Sequence, residues 1–327
     1  MANKLTDKIL EIDYEAEADR IGKGLREILS KKLKRRGLII AMSGGIDSSV
    51  SAALAVRALG NKKVFGLLLP EQDSSDDSSN RGKILAQHLD IEYISQDIRE
   101  VLKAIGCYEW RDQAIKKTFP EYTHGWKNKI TISGGMEGKF NHFKLVVQDM
   151  AGNIMEKRLE LKEYLQIVAA TNYKQRIRKS IEYFHADRLN YAVIGTPNRL
   201  EYDQGFFVKN GDGSADVKPI AHLYKTQVYA MARHLKLPDE ICSAIPTTDT
   251  YSLPQGQDEF YFALPYNKMD IALWALNHAV PAKDLAVYLG VTNDQAEFIY
   301  KDIHSKRITT HYMHSRAYLI DSEPEAE

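Results

Sequence analysis

The chain has 327 residues, of which 44% are hydrophobic, enough for a well-buried core in one large domain or in a domain carrying a substantial insertion. Its 44 basic and 44 acidic side chains cancel, so the balance advertises neither a nucleic-acid nor a membrane partner, and its two cysteines, Cys107 and Cys242, have no metal-ligand or disulfide spacing. No apolar signal region opens the sequence and no stretch reaches the roughly 18 apolar residues of a membrane span, so a cytoplasmic setting is expected.

Between residues 15 and 36, Ile21, Leu25, Ile28, Leu29 and Leu33 recur at helical spacing, and Gly37 ends the predicted helix. The basic run 31–36 reads as cations suited to a helix C-terminus rather than as a phosphate patch. A buried strand at 38–42 runs into Ser43, Gly44, Gly45, Ile46, Asp47, Ser48 and Ser49, and then into an alanine- and valine-rich helix to about Leu59. The unit repeats as a strand at 64–69, a helix at 78–89 and a strand at 91–94. Strands alternating with helices predict a parallel sheet with helices on both faces. Beyond 97–105 the pattern breaks, and residues from about 107 to 161 are predicted to form a small β insertion, with strands at 129–133, 143–148 and 154–161. A long helix at 162–187 returns the chain to the sheet, followed by a strand at 191–195 and a polar, glycine-rich loop at 205–219. Helices are predicted at 225–235, 269–278, 282–289 and 293–304, and the acidic tail 321–327 is expected to fray.

The loop at Ser43 carries the clearest chemistry. Small residues between a buried strand and a helix N-terminus present unpaired backbone N–H groups to an anion, and the helix dipole adds to the attraction. Gly44 and Gly45 permit close approach, while the hydroxyls of Ser43, Ser48 and Ser49 can donate to phosphate oxygens. Asp47 would repel a bare phosphate, and a magnesium ion between the two removes the conflict.

The string SGG-x-DSS after an apolar strand resembles the pyrophosphate loop of the N-type ATP pyrophosphatases, the family of NAD synthetases, GMP synthetases, asparagine synthetases and tRNA-thiolating enzymes. The block Gly195, Thr196, Pro197, Asn198, Arg199, Leu200, Glu201, followed by GFFVKNGDGSAD from Gly205, is similar to the NAD synthetase segment GT-x-x-x-x-E and GFFTKYGDGGAD. Collinear matches continue at Asn172 to Arg178, at Pro219 and Ile220, at Leu223 to Gln227, and at Pro246 to Asp249, so the resemblance covers about 15–106 and 162–270. It implies an adenine nucleotide α-hydrolase-like, Rossmann-like fold, forming a single domain over 1–327 with the β-rich insertion at about 107–161 and a helical C-terminal portion at about 266–320.

The resemblance to the ammonia-dependent NAD synthetases also implies an activity. A carboxylate of deamido-NAD would attack the α-phosphorus of ATP, giving an acyl-adenylate and pyrophosphate, and ammonia would displace AMP. Ser43, Gly44, Gly45, Ile46, Asp47, Ser48, Ser49, Arg178, Thr196, Lys225 and Thr247 match positions near ATP, with Asp47 and Lys225 taking catalytic parts. Asp47 and Glu201 match the Mg2+ ligands, and Arg176, Lys209, Asp212 and Asp216 match positions that hold deamido-NAD. A homodimer is implied as well. No glutaminase domain fits before Gly37, so free ammonia or a separate glutaminase would supply nitrogen.

Three departures all bear on the substrate side. The insertion is larger than in compact bacterial members, the segment from Ser252 to Phe260 follows the family's PQQSDE only loosely, and a late His-Lys pair appears as Ser305 and Lys306. The same chemistry on a different carboxylate is therefore the main alternative. A nucleotide-binding module without catalysis is the second, opposed by Asp47, Glu201 and Lys225 standing together.

Overall fold

The computed structural model describes residues 5–133, 142–244, 250–256, 261 and 264–320. The tail 321–327 lies outside them, and so does Thr247. In chain order the elements begin with α1 (Tyr14–Glu27), capped by Asp13, whose carboxylate accepts from Glu15 N and Ala16 N. A π-helical turn over Ile28–Leu33 ends at Lys34 in the left-handed region, φ 52°. The first βα units are β1 (Leu38–Ala41), α2 (Ile46–Leu59), β2 (Val64–Leu68), α3 (Asp76–His88) and β3 (Glu92–Ser95). Then come α4 (Arg99–Ala104), α5 (Cys107–Thr118), β4 (Lys127–Ser133), β5 (His142–Gln148) and β6 (Ile154–Arg158). The chain returns through α6 (Leu161–Leu189), β7 (Ala192–Val193), α7 (Arg199–Gln204), α8 (Lys225–His234) and α9 (Asp239–Cys242), and finishes with α10 (Tyr266–Asn277), α11 (Ala282–Leu289) and α12 (Asn293–His314).

The main sheet is parallel, in the order β3-β2-β1-β7. Alternation along β1 and β2 sorts side chains onto two faces. Leu38, Ile40, Val64 and Leu68 pack with α1, α2, α3 and α8, whereas Ile39, Phe65 and Leu67 pack with α4, α5 and α6. Both faces are thus covered, as expected for β strands that read as continuous apolar runs. The chain leaves β1 toward β2 and β3 on one side and later adds β7 on the other. That reversal of strand order opens a crevice at the carboxyl end of β1, where open α/β sheets bind ligands.

A second core joins Leu5 and Leu10 to α10, α11 and α12. The small antiparallel sheet, β4-β5-β6, stands apart with its own core of Ile130, Leu145 and Val147 against Ile115, Phe119 and Ile167. Among the described residues no helix is long and apolar enough to cross a membrane.

Two differences from the expected elements are large. Residues 107–118, expected at the start of the β insertion, form α5. Its buried positions Cys107, Tyr108, Arg111, Ala114 and Ile115 keep helical period, and Arg111 breaks the apolar pattern because its partner is a buried carboxylate. The last helix runs to His314 rather than ending at 304. Its final turns lack an apolar stripe and are held by Arg307, bound to both carboxylate oxygens of Asp203 at 2.6 and 2.9 Å, and by Lys306 on Asp302.

Candidate active site

The loop at the end of β1 is shaped by contacts rather than by freedom. Gly44 has φ +74°, and a Cβ there would stand 2.2 Å from the carbonyl oxygen of Ser78, so only glycine fits. Arg81, on α3, donates from Nε to Gly44 O at 3.0 Å and clasps the turn from outside. Ser48 and Ser49 both donate to Gly45 O, at 3.0 and 2.8 Å, and the Ser43 and Ser48 hydroxyls lie 3.1 Å apart. Gly45 caps α2 without a side-chain bond to the first-turn N–H groups, which leaves them facing the crevice for an anion. Ile46, the first helical residue, is buried in the core and contributes only backbone to the loop.

Two further elements converge on Asp47. The Lys225 ammonium, at the start of α8, pairs with Asp47 Oδ2, and Asn198 Nδ2 donates to Asp47 Oδ1 at 3.1 Å. Asn198 is fully buried and caps α7: its Oδ1 accepts from Leu200 N and Glu201 N, while Glu201 Oε2 accepts from Asn198 N at 3.1 Å. One asparagine therefore ties the Asp47 and Glu201 carboxylates into a single unit. Burial works against a charged Lys225, yet Asp47 and then Glu201 overcome it and hold the ammonium above its ordinary range. Asp270 sits behind, accepting from the backbone N–H groups of Lys225 and Thr226 at 3.2 and 2.7 Å, and its own burial pushes it up to about 7.

The remaining expected residues fall into two groups. Arg178, on α6, reaches the loop after β2, donating to Leu69 O at 3.2 Å, and Thr196 is half-buried just beyond β7. Arg176 donates to Lys209 O at 3.3 Å, while the Lys209 ammonium is spent on the end of α12, at Tyr312 O (2.6 Å) and Ser315 O (3.2 Å). Asp212 accepts from Val208 N at 2.7 Å and is raised by burial. Asp216 is exposed, and its carboxylate is tied to Val193 N at 2.7 Å and to the Tyr183 hydroxyl, so in this geometry it braces β7.

Asn198, Arg81 and Asp270 carry site functions that the sequence reading did not assign. Asn198 had a local signal, an Asn three residues before Glu201; the other two did not, since their partners are distant in sequence. Among the described residues no group of three or more His, Cys, Asp or Glu side chains is arranged to hold a metal ion.

Comparison with known proteins bears on the family and the fold. A family model described as NAD synthase matches residues 17–121 and 139–311. The NH(3)-dependent NAD(+) synthetase of Rhizobium meliloti (strain 1021) is 54% identical over 321 residues, covering 97% of this chain and 95% of the relative. Among solved structures, NMN synthetase from Francisella tularensis superposes with a TM-score of 0.63 at 20% identity, covering 95% of this chain and 100% of that one. The NH3-dependent NAD synthetase from Campylobacter jejuni gives 0.62 at 22% identity with the same coverage. At those identities the likeness is one of fold.

Proposed function

The chain belongs to the NAD synthase family, and we infer that it catalyses the ATP-dependent amidation of deamido-NAD by ammonia. The observation that carries this reading to the residues is Asp47, held by Lys225 and Asn198 at the mouth of a helix N-terminus in the β1 crevice.

A carboxylate has no leaving group for ammonia to displace. Attack of its oxygen on the α-phosphorus of ATP forms a P–O bond, expels pyrophosphate and converts that oxygen into part of a good leaving group, AMP. Ammonia then adds to the acyl carbon, loses a proton, and AMP departs with the transferred oxygen. No protein nucleophile is needed, so positioning and charge neutralisation are the chain's contribution. We assign the loop Ser43, Gly44, Gly45, Ile46, Ser48 and Ser49 to the ATP phosphates, its first-turn N–H groups donating while the Ser48 and Ser49 hydroxyls, bound to Gly45 O, shape the turn, and Arg178, Thr196 and Thr247 to the same nucleotide. Lys225, charged and immobile, offsets the charge that builds on departing pyrophosphate. Two carboxylates joined through Asn198 suit Mg2+, which favours one or two carboxylates together with substrate phosphates, so Asp47 and Glu201 would hold it, and the ion would neutralise phosphate charge. Arg176, Lys209, Asp212 and Asp216 are assigned to the deamido-NAD end, with Asp216 acting through the strand it braces. A homodimer is supported by the exposed apolar side chains Leu161, Leu165, Tyr173 and Phe184 on α6.

Incubation with ATP, magnesium, ammonium and deamido-NAD, followed by mass spectrometry, tests the reading. NAD, AMP and pyrophosphate should appear in equal amounts and vanish with Asp47→Ala. Exchange of pyrophosphate into ATP only with other carboxylates would replace the substrate, and no reaction with any carboxylate would leave a nucleotide-binding module.

A further inference from the structure

The small sheet has no part in the chemistry above, and its strand β4 lies wholly within 122–138, the interior stretch that the family model leaves unmatched. β4 is nonetheless engaged. Residues 250–256 run along it: Leu253 N–H donates to Asn128 O at 3.1 Å, and Asn128 N–H donates to Ser252 Oγ at 2.8 Å. Lys129 Nζ donates to Pro254 O at 3.2 Å, and Gln255 Nε2 donates to Ile130 O from a buried position. Tyr251 anchors the segment in the core shared by Ile115, Phe119 and Ile130. A main-chain bond, three bonds between side chain and backbone and an aromatic anchor together leave this segment little freedom.

Its first residue is gripped from the other side. The Thr250 carbonyl accepts from Lys174 Nζ at 2.7 Å, and the same ammonium pairs with Asp73 at 2.6 Å and Glu71 at 3.0 Å. Arg111 of α5 closes the cluster on Asp73 at 2.6 Å. All four charged side chains are buried, so loosening one leaves an uncompensated charge and the cluster moves as a unit or not at all. Glu71 and Asp73 lie on the loop from β2 to α3. Arg178, one turn beyond Lys174 on α6, holds that loop at Leu69 O, and the loop leads into α3, whose Ser78 carbonyl meets Gly44. An unbroken run of contacts therefore joins β4 to the Gly44 loop.

We propose that the small sheet is a positioning element for the ATP half of the site: β4 fixes 250–256, Thr250 fixes Lys174, and Lys174 fixes the loop on which Arg178 and the Gly44 turn rest. The inference rests on the reading that the Gly44 loop takes ATP, and it moves the insertion and residues 252–256 from the substrate side, where the sequence pattern put them, to the nucleotide side. Ser252 and Gln255 act through other residues and are positioning residues.

The test is the double variant Ser252→Ala with Gln255→Ala, assayed for KM of each substrate and for melting temperature. KM for ATP should rise at least fivefold while KM for deamido-NAD stays within twofold. A merely structural role would lower the melting temperature and move both constants together, or neither; either pattern in a folded variant overturns the proposal. Should the double variant not fold, Gln255→Ala alone should raise KM for ATP at least twofold, and an unchanged value is fatal. Lys144→Ala, which removes a surface pair with Glu156 on the same sheet, should leave both constants unchanged. If the unaltered protein makes no NAD, the substrate reading fails by itself, and the KM for ATP in pyrophosphate exchange with an accepted carboxylate decides the positioning inference separately.

Discussion

Replacing Lys225 with methionine keeps the apolar stem and deletes one charge. The side chains of Lys225 and Asp47 are 2% and 16% exposed, so the pair is largely out of water. Removing one partner of such a pair costs about 3–5 kcal/mol, and because Asp47 keeps the Asn198 amide and some solvent, the low end applies, about 3 kcal/mol. With an unfolding entropy of about 2.1 cal/mol/K per residue, a chain of this length should melt about 4 °C lower. A preorganised cation facing developing charge is worth about 10²–10³ in rate, so kcat should fall by that factor. Calorimetry and the rate of NAD formation read the two effects. They separate in the double variant Lys225→Met with Asp47→Asn, where both charges are gone: most of the melting temperature should return and none of the activity. An unchanged melting temperature in Lys225→Met, or a kcat within tenfold of the parent, would rule out this role for the Lys225 ammonium.

Gly44→Ala places a side chain at φ +74°, at a cost of about 1–2 kcal/mol, and drives Cβ into Ser78 O, so KM for ATP should rise more than tenfold. Gly60→Ala, at φ +82° with open space around it, should destabilise without touching KM, and equal effects on KM would count against the loop assignment. Burial raises Asp270 from its ordinary 3.8 to about 7, so its contribution to stability is full below about pH 4 and is lost as pH rises through 7, an amount of about 4 kcal/mol. Melting curves from pH 4 to 8 should therefore lose this slope in Asp270→Asn, and an unaltered slope would show that another group titrates. Asp216→Ala should lower the melting temperature through the lost Val193 N–H partner, about 1–2 kcal/mol, with KM for deamido-NAD within threefold; a tenfold rise at unchanged stability would make Asp216 a direct contact.

What the sequence disclosed was local. The Gly44 turn, the serine hydroxyls and the first turn of the helix after them occupy seven successive residues, and β1, buried on both faces, is an unbroken apolar run. The capping relation of Asn198 and Glu201 is local too, but its bond to Asp47 spans 151 residues and has no imprint in either segment. The same limit hid α5, where a buried Arg111 occupies a core position because Asp73 waits 38 residues away, and it hid the pairing of β4 with 250–256. Lys209 and Asp216 show the converse limit. Their resemblance to substrate-binding positions was visible, whereas their bonds to Tyr312 O and to Val193 N became apparent only from the fold.

On the proposed route the carboxylate oxygen passes to AMP during adenylation. Deamido-NAD labelled with 18O in its nicotinate carboxylate, turned over with ATP and ammonium, should yield AMP carrying one labelled phosphate oxygen and unlabelled pyrophosphate. Unlabelled AMP, or label in inorganic phosphate alongside ADP, would contradict it.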